Sequence, residues 1–225
     1  RSGVTQNMDK TNYLATISQL QRVSSMLSSE QENFMARTLH PTHYGKFCPI
    51  ETPEGTEIGL RKNLAILCRI STRTDLDEEK FVKSLESEGL EKDGVKGGDV
   101  FFNGRFIGSV ENPVNFSKKI REKRRDGELP LQLNVRYDNN FEIIIISTEP
   151  GRALRPLIIA DNGIPRLNKD HLVKLQQGEM KWNDLIKQKV IEYLDTAEEE
   201  NALVALYENE LPSEHTHLEV DHMDL

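Results

Sequence analysis

Between Asp9 and Leu27 the residues Tyr13, Ile17, Leu20, Ser24 and Leu27 recur every three or four positions, the spacing of one helical stripe, and Asp9 stands where a cap is needed. A helix over that stretch is therefore predicted. Ser28 to Asn33 is polar and has no period, which reads as an exposed loop. From Leu39 to Leu60 three prolines and three glycines fall within 22 residues, too many for regular elements. An irregular stretch of that length inside a folded protein is usually kept for function. Asn63 to Ile70 then reads as a short buried strand.

The pattern changes after residue 74. Thr74 to Lys96 is a charged insertion with room for one short helix. Asn103-Gly104 between Val100-Phe101-Phe102 and Phe106-Ile107 is a strong hairpin signal. Asn112-Pro113 supplies a cap and a first-turn proline and Gly127 a stop, so Pro113 to Asp126 is predicted helical. Leu131 to Tyr137 and Phe141 to Thr148 form a second hairpin, and Leu157 to Ala160 adds a strand to the same block. Beyond Asp161-Asn162-Gly163, Asn168 caps a helix that Gly178 ends, and Asn183 is placed to cap another. Val190 to Leu194 and Ala202 to Leu206 read as short strands. The fold class is α+β, multi-domain, with an irregular first region and two small mixed domains after it.

The net charge of −8 speaks against nucleic-acid binding until it is divided. Residues 1–74 carry nine Lys/Arg against six Asp/Glu, net +3, which leaves −11 for the remainder. Phosphate contact, which needs cations, belongs in the first third. No apolar run is long enough to span a bilayer and no signal-peptide order opens the chain. Cys48 and Cys68 make neither a disulfide framework nor a four-thiolate zinc site, so a reducing compartment is expected.

His40, His43 and Cys48 lack the companions of a metal site or an oriented nucleophile, and structural roles are assigned to them. His215, His217 and His222 are better spaced for a metal but lie toward the end of the sequence, and a transition-metal role is not assigned to them. The basic run Lys118 to Arg125 is read as a solvated helix face, since no aromatic residues interleave it to stack bases. Asp195 with Glu198, Glu199 and Glu200 is read as a strand-edge acidic cluster and not as a calcium loop. No phosphate-binding glycine loop, dinucleotide fingerprint or nucleophile elbow is present.

The stretch from Leu39-His40-Pro41-Thr42-His43-Tyr44-Gly45-Lys46-Phe47-Cys48-Pro49 through Ile50-Glu51-Thr52-Pro53-Glu54-Gly55, continued by Ile58-Gly59-Leu60 and Lys62-Asn63-Leu64-Ala65, resembles the signature of the second-largest subunit of multisubunit DNA-dependent RNA polymerase. Ser2-Gly3-Val4, Asn103-Gly104, Gly151-Arg152, Arg155-Pro156-Leu157, Glu192-Tyr193-Leu194-Asp195 and His215-Thr216-His217-Leu218-Glu219 extend the resemblance over nearly the whole chain. The insertion after residue 74 and the Lys62-Asn63-Leu64-Ala65 ending are similar to archaeal and eukaryotic subunits more than to bacterial ones.

That resemblance implies a fork region over 1–73, a first external domain over 74–160, a second over 161–206, and a return toward the hybrid-binding region over 207–225. By it the chain is expected to be an internal piece of the subunit or part of a naturally split one. It implies a share in template-directed nucleotidyl transfer, shaping the active-centre cleft and the downstream bubble edge without catalytic residues of its own. Ser24 to Ala36 matches the loop at that edge. Arg37 and Glu54 match positions near the active centre. Gln6, Gln19, Arg22 and Ser24, which together with Asp9 align with the bacterial rifamycin pocket beside the nascent RNA, are expected to contact nucleic acid, as are Lys46, Arg61 and Lys62. Gln21, Thr38 and Thr56-Glu57 depart from the family pattern, which weakens backbone contact locally, and Gln19 in place of the bacterial histidine implies rifamycin insensitivity.

The implied partners are the largest and other polymerase subunits, template DNA, nascent RNA and transcription factors. No cofactor is expected on this chain, because the family's magnesium is held mainly by the largest subunit. Cytoplasmic residence is implied for an archaeal-type enzyme, nuclear for a eukaryotic one. A non-catalytic docking module for transcription factors, using the acidic surface of 74–206, is the competing reading, with a small metal-dependent hydrolase behind it.

Overall fold

Asn12, and not Asp9, starts the first helix. Its Oδ1 accepts the Ala15 amide at 2.7 Å, which sets α1 over Tyr13–Leu20. Asp9 instead accepts the Thr11 amide and hydroxyl at 2.9 and 2.7 Å, and those bonds, chiefly the hydroxyl, hold its carboxyl below the usual range. The computed structural model describes residues 5–92, 94, 97–211 and 214–220. The chain divides into two units, Arg1–Arg69 and Ile70–Leu225.

In the first unit the helical stripe ends early because Val23–Ser24 (β1) is drawn into an antiparallel pair with Arg61–Lys62 (β2). A long-range ladder overrides local period here. Ser28 to Asn33 contains no helix or strand, as expected, and α2 (Phe34–Arg37) follows it. The proline-and-glycine stretch holds only two single 3₁₀ turns, Pro41–His43 and Gly55–Glu57. The strand expected over Asn63 to Ile70 does not form: Leu64 makes one isolated bridge to Phe47, Ala65 to Cys68 closes a turn, and β3 is confined to Arg69–Ile70 at the unit boundary. Among the described residues of this unit Leu60 is the one buried hydrophobic side chain, while Met26, Met35, Ile50 and Ile66 are almost wholly exposed.

The second unit has conventional cores. α3 (Glu78–Glu86) is capped by Asp77, and β4 (Gly98–Phe102) and β5 (Arg105–Val110) are joined through Asn103 and Gly104, both at positive φ as a type I′ turn requires. α4 (Pro113–Arg125) begins under the Asn112 cap, and β6 (Asn134–Asp138) pairs antiparallel with β7 (Ile143–Ser147). The sheet order is β5-β4-β7-β6, with β4 and β7 parallel. Phe81, Leu85, Phe116 and Ile120 from the helices pack with Val100, Phe102, Val135, Ile144 and Ile146.

A second sheet begins at β8 (Ala153–Asp161), the strand that sequence reading had joined to the preceding block. β8 pairs with β9 (Ile164–Pro165), β10 (Ile191–Asp195) and β12 (His217–Glu219), and β11 (Val204–Ala205) lies parallel to β12. α5 (Lys169–Gln176) takes its cap from Asn168 as expected. α6 (Trp182–Lys187) does not start at Asn183; Lys181 holds the cap position and donates its amide to the Asp184 carboxylate at 2.9 Å. The core of this half gathers Ile158, Leu185, Val190, Ile191 and Leu218.

An ionic network joins α4 to the second sheet. Arg124, fully buried, donates to Glu198 at 2.6 Å, to Glu192 at 2.8 Å and to the Leu133 carbonyl at 2.8 Å. Arg125 grips Glu192 side-on at 2.6 and 3.1 Å, and His217 Nε2 donates to the same carboxylate at 2.7 Å. Burial by itself would raise the Glu192 carboxyl, but Arg124, the His217 bond and Arg125 outweigh it and hold the group well below the carboxylate range. After α7 (Thr196–Glu199) the pattern continues: Arg152 pairs with Asp195 at 2.6 Å, and Arg155 with Glu199 and Glu219. The basic run read as a solvated face is thus in part an interior one, because Arg124 turns inward to meet Glu192 and Glu198. The acidic run supplies partners for arginines instead of a bare strand edge. His222 lies outside the described residues.

Candidate nucleic-acid interface

The residues singled out in the first unit fall into two groups by what holds them. The β1–β2 ladder sets Val23 opposite Lys62 and Ser24 opposite Arg61, so Arg22, Ser24, Arg61 and Lys62 share one neighbourhood. Ser24 is exposed, Arg61 pairs with Glu57 at 2.6 Å, and Arg22 has a buried Nε with no hydrogen bond among the described residues. Gln19 lies just before this ladder and clamps the preceding strand of chain: its Oε1 accepts the Asp9 amide at 2.6 Å and its Nε2 donates to the Asn7 carbonyl at 2.9 Å. Gln6, next along that segment, is exposed and makes no hydrogen bond among the described residues.

Arg37, matched to a position near the active centre, and Lys62 and Lys46, expected at a nucleic-acid surface, are turned onto the backbone. Arg37 donates from Nη1 to the carbonyls of Thr56 (2.6 Å) and Ile58 (2.9 Å) and from Nη2 to those of Ser29 (3.0 Å) and Gln31 (3.3 Å). One planar guanidinium therefore ties the polar loop to the turn that follows Glu54. Lys62 Nζ donates to the carbonyls of Gly59 and Ala36. Lys46 is 1% exposed with Nζ 3.4 Å from the Thr42 carbonyl, which corrects the expectation of a surface contact: in this chain it is an interior charge. Glu54 is exposed, precedes the Gly55–Glu57 turn and makes no capping bond, so its carboxylate faces outward.

Polar side chains do here what a core does elsewhere. Ser18 donates to Glu51 at 2.5 Å, Asn63 Nδ2 donates to the Glu51 carbonyl at 3.1 Å, and Thr52 Oγ1 both donates to the Arg61 carbonyl (3.0 Å) and accepts the Gly59 amide (2.9 Å). Sequence reading missed Ser18, Thr52 and Asn63 as organisers; the signal available was that Thr52 and Asn63 lie inside the longest recognisable motif. Gly59 is required by close approach as well as by its φ of +72°, since a Cβ would stand 2.3 Å from the Arg37 carbonyl oxygen. His40 and His43 also serve the loop: His43 Nδ1 accepts the His40 amide at 3.4 Å, and its ring meets Phe47 edge-on at 5.5 Å. Burial, and then the charges of Lys62, His40 and Lys46, push the His43 imidazole below its ordinary value, so it is neutral at neutral pH.

Three family models match in chain order: RNA polymerase Rpb2, domain 3 over residues 6–70, domain 4 over 100–161 and domain 5 over 182–224. The DNA-directed RNA polymerase subunit Rpo2 of Sulfolobus acidocaldarius is 40% identical over 98% of this chain and 21% of its own length. The DNA-directed RNA polymerase III subunit RPC2 of Saccharomyces cerevisiae is 34% identical over 98% of this chain and 20% of its own. The chain belongs to the family of RNA polymerase second-largest subunits. It spans about a fifth of the length of the curated relatives it matches. The DNA-directed RNA polymerase II subunit RPB2 of Encephalitozoon cuniculi, 32% identical over 92% of this chain and 18% of its own length, is a further member. Within the family, the domain 3 match contains every candidate residue from Gln6 to Lys62. The second sheet, which opens at Ala153, crosses the end of the domain 4 match at 161.

Proposed function

We propose that this chain forms part of the nucleic-acid cleft of a DNA-dependent RNA polymerase, with its first unit beside the growing transcript and the downstream edge of the bubble. The observation that carries the reading is the construction of that unit: a loop and bend braced by backbone-directed cations, almost without an apolar core, with Tyr13, Leu14, Phe34 and Met35 facing outward. Such a surface is stable when neighbouring subunits cover it, and exposed apolar area of this kind marks interaction sites. Arg22, Ser24, Arg61 and Gln6 are the groups placed to meet phosphate and sugar, contacts that fix position without reading sequence. Arg37 acts as a positioning residue for the polar loop and the Glu54 turn. A lone carboxylate does not bind phosphate, so Glu54 acts by orienting neighbours.

The parent enzyme joins ribonucleoside triphosphates on a DNA template with release of pyrophosphate, chemistry that uses two magnesium ions. The second unit's carboxylates at 192, 195, 198 and 199 answer arginines. By the family resemblance the metal ligands are expected mainly on the largest subunit. The full-length parent should copurify with a largest subunit bearing those aspartates, and Arg37→Ala in the assembled enzyme should slow nucleotide addition. A parent that purifies alone, or an Arg37 variant with normal addition rates, contradicts the proposal.

A further inference from the structure

β11 is the last strand of the second sheet, so one side of it has no strand beside it among the described residues. Leu203, just before β11, turns its backbone toward β12: its amide donates to Thr216 Oγ1 at 3.1 Å and its carbonyl accepts the Thr216 and His217 amides at 3.0 and 3.1 Å. Backbone groups alternate in direction along a strand, so Ala205 faces β12 as well, and Val204 and Leu206 point their N–H and C=O groups away from the sheet. Neither residue makes a hydrogen bond on that side among the described residues. An unpaired edge of this kind is a template for another chain.

Leu203, Leu206 and Tyr207, which flank the strand, are 53, 46 and 47% exposed. Large apolar side chains grouped beside an unpaired edge mark an interaction surface. From Glu198 to Glu214 the sequence carries six glutamates and no lysine or arginine. Glu198, Glu199 and Glu200 answer arginines of the second unit, whereas Glu208, Glu210 and Glu214 are exposed and form no ion pair among the described residues. The field at this edge is therefore negative, which repels a nucleic-acid backbone or an anionic bilayer. A second copy of the chain is disfavoured for the same reason, since pairing β11 with β11 brings two acidic segments together. The complementary occupant is an extended segment of another protein, rich in lysine or arginine and in apolar residues. Its backbone meets Val204 and Leu206, its apolar side chains meet Leu203, Leu206 and Tyr207, and its cations answer the three exposed glutamates.

We propose that the β11 edge takes up a basic, extended segment of a partner protein as an added strand. The inference stands on the second unit alone and does not rest on the polymerase reading. The probe is a synthetic peptide of alternating lysine and valine, with one of alternating glutamate and valine as its control, titrated into the 225-residue chain and followed by amide NMR and hydrogen exchange. Saturable binding of the lysine peptide that slows exchange at the Val204 and Leu206 amides is expected, with the glutamate peptide about tenfold weaker or more. Glu208→Lys combined with Glu210→Lys should weaken the lysine peptide about tenfold or more. Val204→Pro, which removes an outward amide and spares the bonds to β12, should weaken it as well. Thermal melts establish that the variants fold; the charge reversal alters exposed, unpaired side chains and decides the matter alone where the proline variant does not fold. No saturable binding up to about 1 mM peptide, binding that leaves exchange at the two amides unchanged, or a charge reversal without effect overturns the proposal.

Discussion

The two units solve the problem of burying polar backbone in opposite ways. In the first, arginine and lysine side chains reach to carbonyl oxygens and hold loops that no apolar core supports. In the second, apolar clusters carry the sheets, and arginines meet carboxylates inside the protein, as Arg124 does with Glu192 and Glu198. The difference separates a unit with one buried hydrophobic side chain among its described residues from one built on two apolar clusters. Positive charge is in both cases turned to structure, which is why counting cations along the sequence overstates what is left for nucleic acid.

The contrast is sharpest under substitution. Arg124→Ala leaves Glu192 and Glu198 without their central buried partner, and a loss of about 3–5 kcal/mol in chemical denaturation of the second unit is expected. Ile120→Ala, in the apolar cluster, should cost about 2–5 kcal/mol by lost burial and residual cavity. A result under about 1 kcal/mol for either would show that the second unit is held otherwise. Arg37→Ala should act locally: hydrogen exchange at 29–31 and 56–58 speeds up while the melting of the second unit stays put. At the small end, Met26→Ser, at a fully exposed side chain, should change the stability of the isolated chain by less than about 0.5 kcal/mol.

Acid sharpens the same comparison. Glu192 is held well below its ordinary value, so its contribution is fully present above the unfolded carboxyl value of about 4.3 and is lost as pH falls through the lower folded one. Unfolding of the second unit should therefore steepen below about pH 4, and Glu192→Gln should flatten that slope. An unchanged slope would remove Glu192 from the acid response.

Local signals in the sequence were read correctly where the decisive residues are neighbours. The Asn103-Gly104 turn, the Asn112-Pro113 start of α4 and the Asn168 and Gly178 ends of α5 each depend on contacts within a few residues. What escaped depends on distant partners. The end of α1 is set by Lys62 and Arg61 across a two-residue ladder, and Arg124 finds its carboxylates 68 and 74 positions later. Lys46 has the same composition signal as a surface cation and is buried by the loop around it. The family was legible from one long motif, whereas the polar staples Ser18, Thr52 and Asn63 were not, because a hydroxyl or an amide announces no partner from its own position.

Amide hydrogen exchange compared between the 225-residue chain alone and the same residues within the assembled polymerase tests the partner dependence of the first unit most directly. Exchange that is fast throughout 5–69 in the isolated chain and strongly slowed in the assembly, with the sheets of the second unit protected in both, is the expected result. Equal, strong protection of 5–69 in both states would show a self-sufficient first unit and contradict the proposed place of that unit in a cleft wall.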